Sequence, residues 1–125
     1  MIFDTDMFIW VQRGNTKAAA LMERTEARYL SIQTYMELLQ GAQKKTEHTI
    51  IKNFLTEYHF KVLPLTENIG HRASIYIEEY ALASGVRSGD AIIAATAVEN
   101  NMALSSSNAK HFRIINELQF KPFTP

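Results

Sequence analysis

Cysteine is absent from the 125 residues. That excludes disulfide scaffolds, thiol catalysis and cysteine-held zinc, and it agrees with a reducing compartment. Net charge is absent too, since 13 basic and 13 acidic side chains balance at pH 7. No global field draws the chain to a polyanion, so any nucleic-acid partner has to be held by a local patch. No apolar run approaches the ~20 residues of a membrane span, and no basic segment leading into an apolar stretch opens the chain. The expected setting is soluble and cytoplasmic. Walker loops, GxGxxG and Gly-x-Ser-x-Gly are missing, which removes the commonest nucleotide and acyl-transfer chemistries. His48, His59, His71 and His111 form no i, i+4 pair and no His-Glu-x-x-His, so most of them read as surface or partly buried helix residues.

What remains is an ordinary globular composition, 46% hydrophobic and 21% charged, at the length of one domain over residues 1–125. Met1-Ile2-Phe3 is too short for a buried helix and fits a core strand running straight into Asp4-Thr5-Asp6. Asp6 is expected to open the helix that follows, and Arg13-Gly14-Asn15 to end it. Asn15 then caps a helix from Thr16 to about Arg24, and residues 27–31 form a short strand. Ser31 caps a helix over residues 32–40, stopped by Gly41. A further helix over residues 46–59 presents Ile50, Ile51, Phe54, Leu55 and Tyr58 at close to helical spacing. Residues 60–63 make a third strand before Pro64. Thr66 caps a long helix ended by Gly85, and Ser88 caps an alanine-rich one. Residues 102–104 and 118–120 are the last strand candidates. Strands alternating with helices predict a largely parallel sheet of four to five strands, covered on both faces.

The carboxylates each carry two readings. Asp4 lies at a strand's C-terminal edge, where open α/β sheets place ligands. Asp4 and Asp6 serve equally well as capping acids, although their spacing hints at a hard divalent cation. On a helical wheel Ile32, Tyr35, Met36 and Leu39 form the inward stripe, which puts Glu37 on the solvated face with Gln33 and Thr34. Asp90 stands in the first turn of a helix that is apolar nearly all round. A helix dipole stabilises such an acid by ~0.3–1 kcal/mol. Its desolvation, however, calls for a counter-charge, either a metal or a base. Asn108 and Ser106 read as turn or cap residues when taken singly.

Taken together, four blocks resemble the motif set of PIN-domain ribonucleases, in particular VapC-type toxins of toxin–antitoxin pairs. They are Ile2-Phe3-Asp4-Thr5-Asp6, the stretch from Ser31 to Gly41 around Glu37, Gly89-Asp90-Ala91-Ile92-Ile93-Ala94-Ala95-Thr96-Ala97, and Leu104-Ser105-Ser106-Ser107-Asn108-Ala109-Lys110-His111-Phe112. The resemblance implies a three-layer α/β/α sandwich with an acidic pocket that binds Mg²⁺ or Mn²⁺ and cuts RNA. By motif position Asp4, Glu37 and Asp90 are the implied acidic core, with Asp4 and Asp90 on the metal. Thr5, Asp6, Ser106 and Asn108 are implied as support. Ser106 replaces a more usual threonine, and Asn108 stands where many relatives carry aspartate.

Arg87, Lys110 and Arg113 are the candidate RNA contacts, with Lys44, Lys45 and Lys52 as further rim cations. The resemblance also implies a small antitoxin partner and a homodimer, with Phe8, Trp10 and Val11 as candidate contacts or, equally, core residues. Two rival readings stand beside it. One is a PIN-like module that binds RNA or protein with little or no cutting. The other is a haloacid-dehalogenase-type phosphatase, whose motifs fail here at Phe8 and Ala94.

Overall fold

The computed structural model describes residues 1–125. Strand β1 (Ile2–Phe3) is central in a five-stranded sheet of order β3-β2-β1-β4-β5, with β2 (Arg28–Ser31), β3 (Phe60–Leu63), β4 (Leu104–Ser106) and β5 (Phe120–Pro122). Every neighbouring pair is parallel. Helices α1 (Thr5–Gln12), α2 (Thr16–Arg24), α3 (Ile32–Gly41), α4 (Lys45–Glu57), α5 (Glu67–Ser84), α6 (Ser88–Glu99) and α7 (Ala109–Phe112) complete the chain.

Successive strand side chains face opposite sides of the sheet, and β1 shows what that does. Ile2 packs with Ile69 and Tyr76 of α5, Ile93 of α6, Leu104 and Phe112. Phe3 packs on the other side with Met7 and Phe8 of α1, Met22 of α2, Leu38 of α3, and Ile51 and Leu55 of α4. The result is the α/β/α sandwich, with a separate apolar core on each face. Ala91, Ala94, Ala95 and Ala97 are fully buried, and their small size brings α6 close against α5. No helix is long and apolar enough to cross a membrane.

Several boundaries differ from expectation for local reasons. Asp4, not Asp6, opens α1: its side chain accepts from Thr5 N–H, and Asp6 lies in the first turn. Arg87 occupies the cap position of α6, and Ser88 is its first helical residue. Gly41 is the last residue of α3 and Ala42 is its cap. β4 begins at Leu104 rather than Met102 because the helix-ending turn runs on: Asn101 has φ +55°, and Met102 N–H still bonds Ala97 O at 2.9 Å. Leu118 is likewise held in a turn, its N–H bonding Ile115 O at 3.1 Å, so β5 starts at Phe120. Pro122 is tolerated there because β5 is an edge strand.

The inward faces of two helices also differ. In α3 the buried residues are Thr34 and Leu38, while Met36 is exposed. Thr34 enters the interior because its hydroxyl meets that of Thr5 at 3.0 Å, so the polar face turns towards the sheet's C-terminal edge. In α4, Ile51 and Leu55 point inward and Ile50 is 66% exposed.

Candidate active site

From β1 the chain steps outward to β2 and β3, then crosses to β4 and β5 on the other side. The crevice outside the C-terminal ends of β1 and β4 is therefore the topological switch point, where open α/β sheets bind ligands. Asp4 follows β1 directly, and Ser106 ends β4. Asp4 is only 5% exposed. One of its oxygens accepts from Thr5 N–H at 2.8 Å, and the other from the Ser106 hydroxyl at 2.7 Å. Burial pushes the Asp4 carboxyl well above the usual carboxylate range, and the nearby Asp6 adds to that. The bonds from Ser106 and Thr5 oppose the shift without cancelling it.

Asp6 has a different task. It accepts from Ser107 N–H at 2.9 Å and from the Ser107 hydroxyl, with Ser106 Oγ 3.4 Å from each of its oxygens. Trp10 Nε1–H donates to Ser107 Oγ at 3.2 Å. Asp6 and Trp10 thus fasten α1 to the segment after β4.

Glu37 is in the site after all. Its Oε1 lies 2.6 Å from Thr5 Oγ1. Thr5 has one hydroxyl proton, and the ionised carboxylate is the stronger acceptor. Thr34 then donates into Thr5. The other Glu37 oxygen, Oε2, lies 3.1 Å from where a Cβ on Gly89 would stand, and Gln33 Nε2 lies 3.2 Å from the same point. Glycine at 89 is what lets α3 and the first turn of α6 come this close.

Asp90 follows Gly89. His111 Nδ1 lies 2.8 Å from Asp90 Oδ2 and 3.0 Å from the Asn108 side-chain nitrogen. Asn108 makes no side-chain cap to α7, while its backbone N–H donates to Ser106 Oγ at 2.9 Å. The contacts close a circuit: Asp4, Thr5, Glu37, Gly89, Asp90, His111, Asn108, Ser106 and back to Asp4. All seven expected site residues, Asp4, Thr5, Asp6, Glu37, Asp90, Ser106 and Asn108, lie in this circuit or bonded to it.

The donor set fits a hard divalent cation. The chain's lysine and arginine ion pairs are those of Arg72 with Glu99 and Glu117. Asp4, Asp6 and Glu37 thus have no lysine or arginine partner, and the buried Asp4 lacks a counter-charge. No three carboxylate or imidazole groups converge tightly enough to hold an ion by themselves. Arg87, Lys110 and Arg113 are exposed and free of acidic partners.

Residues 1–118 match the PIN domain family. The chain belongs to the PIN domain family. Among solved structures, the PIN chain resembles a toxin–antitoxin complex from Klebsiella pneumoniae at 26% identity and TM-score 0.82, over 99% of this chain and 98% of that one. It resembles VapBC-1 from nontypeable Haemophilus influenzae at 26% identity and TM-score 0.77, over 98% of each chain. VapBC2 from Rickettsia felis, bound to a promoter DNA fragment, shares the fold at 17% identity and TM-score 0.78, over 99% of this chain and 100% of that one. Against curated protein sequences the chain has no significant match.

Two PIN-site residues escaped the sequence reading. The helical wheel puts Thr34 on the solvated face of α3, whereas it is buried; His111 is the partly buried helix residue expected, but nothing in its own segment gives it a role beside Asp90. The spacing Asn108-x-x-His111 at the start of a short helix was the available signal for His111, since residues three apart share a helix face.

Proposed function

We propose that this PIN chain is a Mg²⁺- or Mn²⁺-dependent endoribonuclease and the toxin of a toxin–antitoxin pair. The observation that carries this is Asp4: a buried carboxylate without a basic partner, at the switch point, linked to Glu37 through Thr5 and to Asp90 through Ser106, Asn108 and His111. Asp4 and Asp90 would hold the ion. Glu37, oriented by Thr5, accepts the proton of the attacking water. The ion supplies charge neutralisation at the phosphate and a more acidic water. Arg87, shortly before Asp90, and Lys110 and Arg113, shortly after Asn108, are exposed and would serve as phosphate contacts, in keeping with a local patch on a neutral chain.

For the antitoxin, a groove of about 490 Å³ starts at Thr5 and Glu37 and passes Ile9, Arg13 and Ile50. It adjoins an apolar recess of about 160 Å³ lined by Phe8, Val11, Phe54 and Leu55. Phe8 belongs to the core, Val11 lines the recess, and Trp10 is bonded to Ser107. An amphipathic segment seated in this groove would reach the carboxylates, which is how such a partner would silence the site. A second copy of the chain is also proposed as a partner; sedimentation of the purified chain tests it.

The test is cleavage of mixed RNA by purified protein. Activity should require Mg²⁺ or Mn²⁺ and vanish on chelation, and expression should arrest growth. Ile50→Lys should leave cleavage intact while relieving inhibition by a cognate antitoxin. Wild-type protein that is inert on RNA with metal present would transfer the reading to a binding module.

Gly89→Ala tests the geometry. The new Cβ meets the flexible end of Glu37, so the melting temperature should move little. The new Cβ stands 3.1 Å from Glu37 Oε2 and 3.2 Å from Gln33 Nε2; a misplacement on the order of 1 Å at a reacting group lowers rates by about 10²-fold, and this smaller shift of Glu37 should lower cleavage measurably but by less than that.

A further inference from the structure

Each acid of the site has a donor that fixes its orientation, and for Asp90 that donor is His111. Ser106 holds Asp4 at 2.7 Å and Thr5 holds Glu37 at 2.6 Å. Asp90 has one other contact, Arg87 N–H at 3.4 Å, which is beyond the usual N–H···O range. His111 Nδ1, at 2.8 Å, is therefore what sets the Asp90 carboxylate.

The chemistry fixes the direction of that bond. A single ring nitrogen cannot donate to a carboxylate while accepting from an amide N–H. An ionised Asp90 only accepts, so Nδ1 carries the proton. Asn108 then meets the same proton with its amide oxygen, because the two ends of an amide exchange by a flip. The Nδ1–H becomes a three-centre donor to Asp90 and Asn108, while Nε2 faces the turn at Gly85, 3.9 Å from where a Cβ would stand.

We propose that His111 is a positioning residue. As the Nδ1–H tautomer it ties Asp90 on α6 to Asn108 after β4, and it decides which Asp90 oxygen is left to face a divalent cation. This rests on the assignment of Asp90 to the metal. Groups that orient a metal's ligands typically matter by 10–100-fold in metal affinity or activity, and a loss of that order is expected here.

The experiment is Mn²⁺ titration of the full chain by calorimetry, supported by quenching of Trp10, the sole tryptophan. Wild type is compared with His111→Leu, His111→Asn, His111→Gln, Asp4→Asn and Asp90→Asn. His111→Leu and His111→Gln should weaken Mn²⁺ binding by about 10–100-fold. His111→Asn, whose amide nitrogen falls near the place of Nδ1, should recover most of that loss. Metal-free melting shows that each variant folds, and if the leucine variant does not, the asparagine–glutamine contrast decides. Wild-type affinity in His111→Leu or His111→Gln, with Asp4→Asn and Asp90→Asn impaired, would overturn the proposal and leave the metal site standing. Wild-type affinity in both aspartate variants, or no binding by the wild type, would overturn the metal-site reading and this proposal with it.

Discussion

Asp90→Asn is expected to lower metal-dependent RNA cleavage by about 10³-fold and to leave the metal-free fold nearly as stable as the wild type. The two halves have separate causes. A metal ion's stabilisation of the reacting charge is worth several kcal/mol, and about 4 kcal/mol corresponds to roughly 10³-fold in rate. Asparagine keeps an oxygen to accept from His111 Nδ1–H but loses the charge that holds the ion. The structural loss is the helix-dipole contribution of an acid in the first turn of α6, ~0.3–1 kcal/mol. That is a shift of a few degrees at most in a domain of this size. Cleavage assays and thermal melts on the same preparation check both halves. Undiminished cleavage by the variant would remove Asp90 from the site.

The local signals that placed Asp4 were legible because they are short-range. Asn15, Ser31 and Thr66 cap their helices through side-chain bonds to backbone N–H groups. Gly85 ends α5 in the left-handed conformation at φ +69°. Each is a chemical event within a few residues of its signal. The parallel sheet followed from the alternation of strands and helices, and β1 from an apolar pair ending on a capping acid.

Glu37 was not legible from its own helix. A helical wheel sorts residues by hydropathy, and it failed on α3 because Thr34 is buried against Thr5, which lies 29 positions earlier. A polar residue enters a core when a distant partner satisfies it, and no local pattern records that partner. His111 was obscured for the same reason: its partner Asp90 lies 21 residues away. In both cases only the motif resemblance pointed to the segment, and it pointed to Glu37 and Asn108 while leaving Thr34 and His111 without a role. The shifted start of β4 has a related origin. The run Met102-Ala103-Leu104 is apolar, but after the positive φ of Asn101 the N–H of Met102 still bonds back to Ala97 O, and the strand begins only at Leu104. The strand then ends on Ser106, which puts that hydroxyl on Asp4.

Asp4→Asn should abolish cleavage as Asp90→Asn does, yet its effect on the metal-free protein should be the reverse of a lost contact: a higher melting temperature. The folded protein binds a proton at Asp4 more readily than the unfolded chain does, since burial and Asp6 raise its carboxyl above the ordinary value of 3.8. Linkage then makes stability fall as pH climbs from that ordinary value through the raised one, and the full penalty stands above it. At low pH, with Asp4 protonated in both states, the penalty is gone. Asparagine cannot ionise, so the variant should escape this loss at neutral pH. Its amide preserves the local bonds, with the oxygen accepting from Thr5 N–H and the nitrogen donating to Ser106. Each kcal/mol recovered reads as roughly 3–5 °C for a domain of this length. A saturating divalent cation acts on the wild type alone. At about 100 times its dissociation constant it stabilises the wild type by ~2.7 kcal/mol and a variant that cannot bind it by nothing. Melts of both proteins across acid to neutral pH, with and without Mg²⁺, therefore separate the two effects. Without metal the variant lies above the wild type and the gap widens with pH; with Mg²⁺ only the wild-type curve rises. A variant that melts below the wild type at neutral pH without metal would mean that Asp4 is stabilising in its own right, and the argument that its burial calls for a cation would fail.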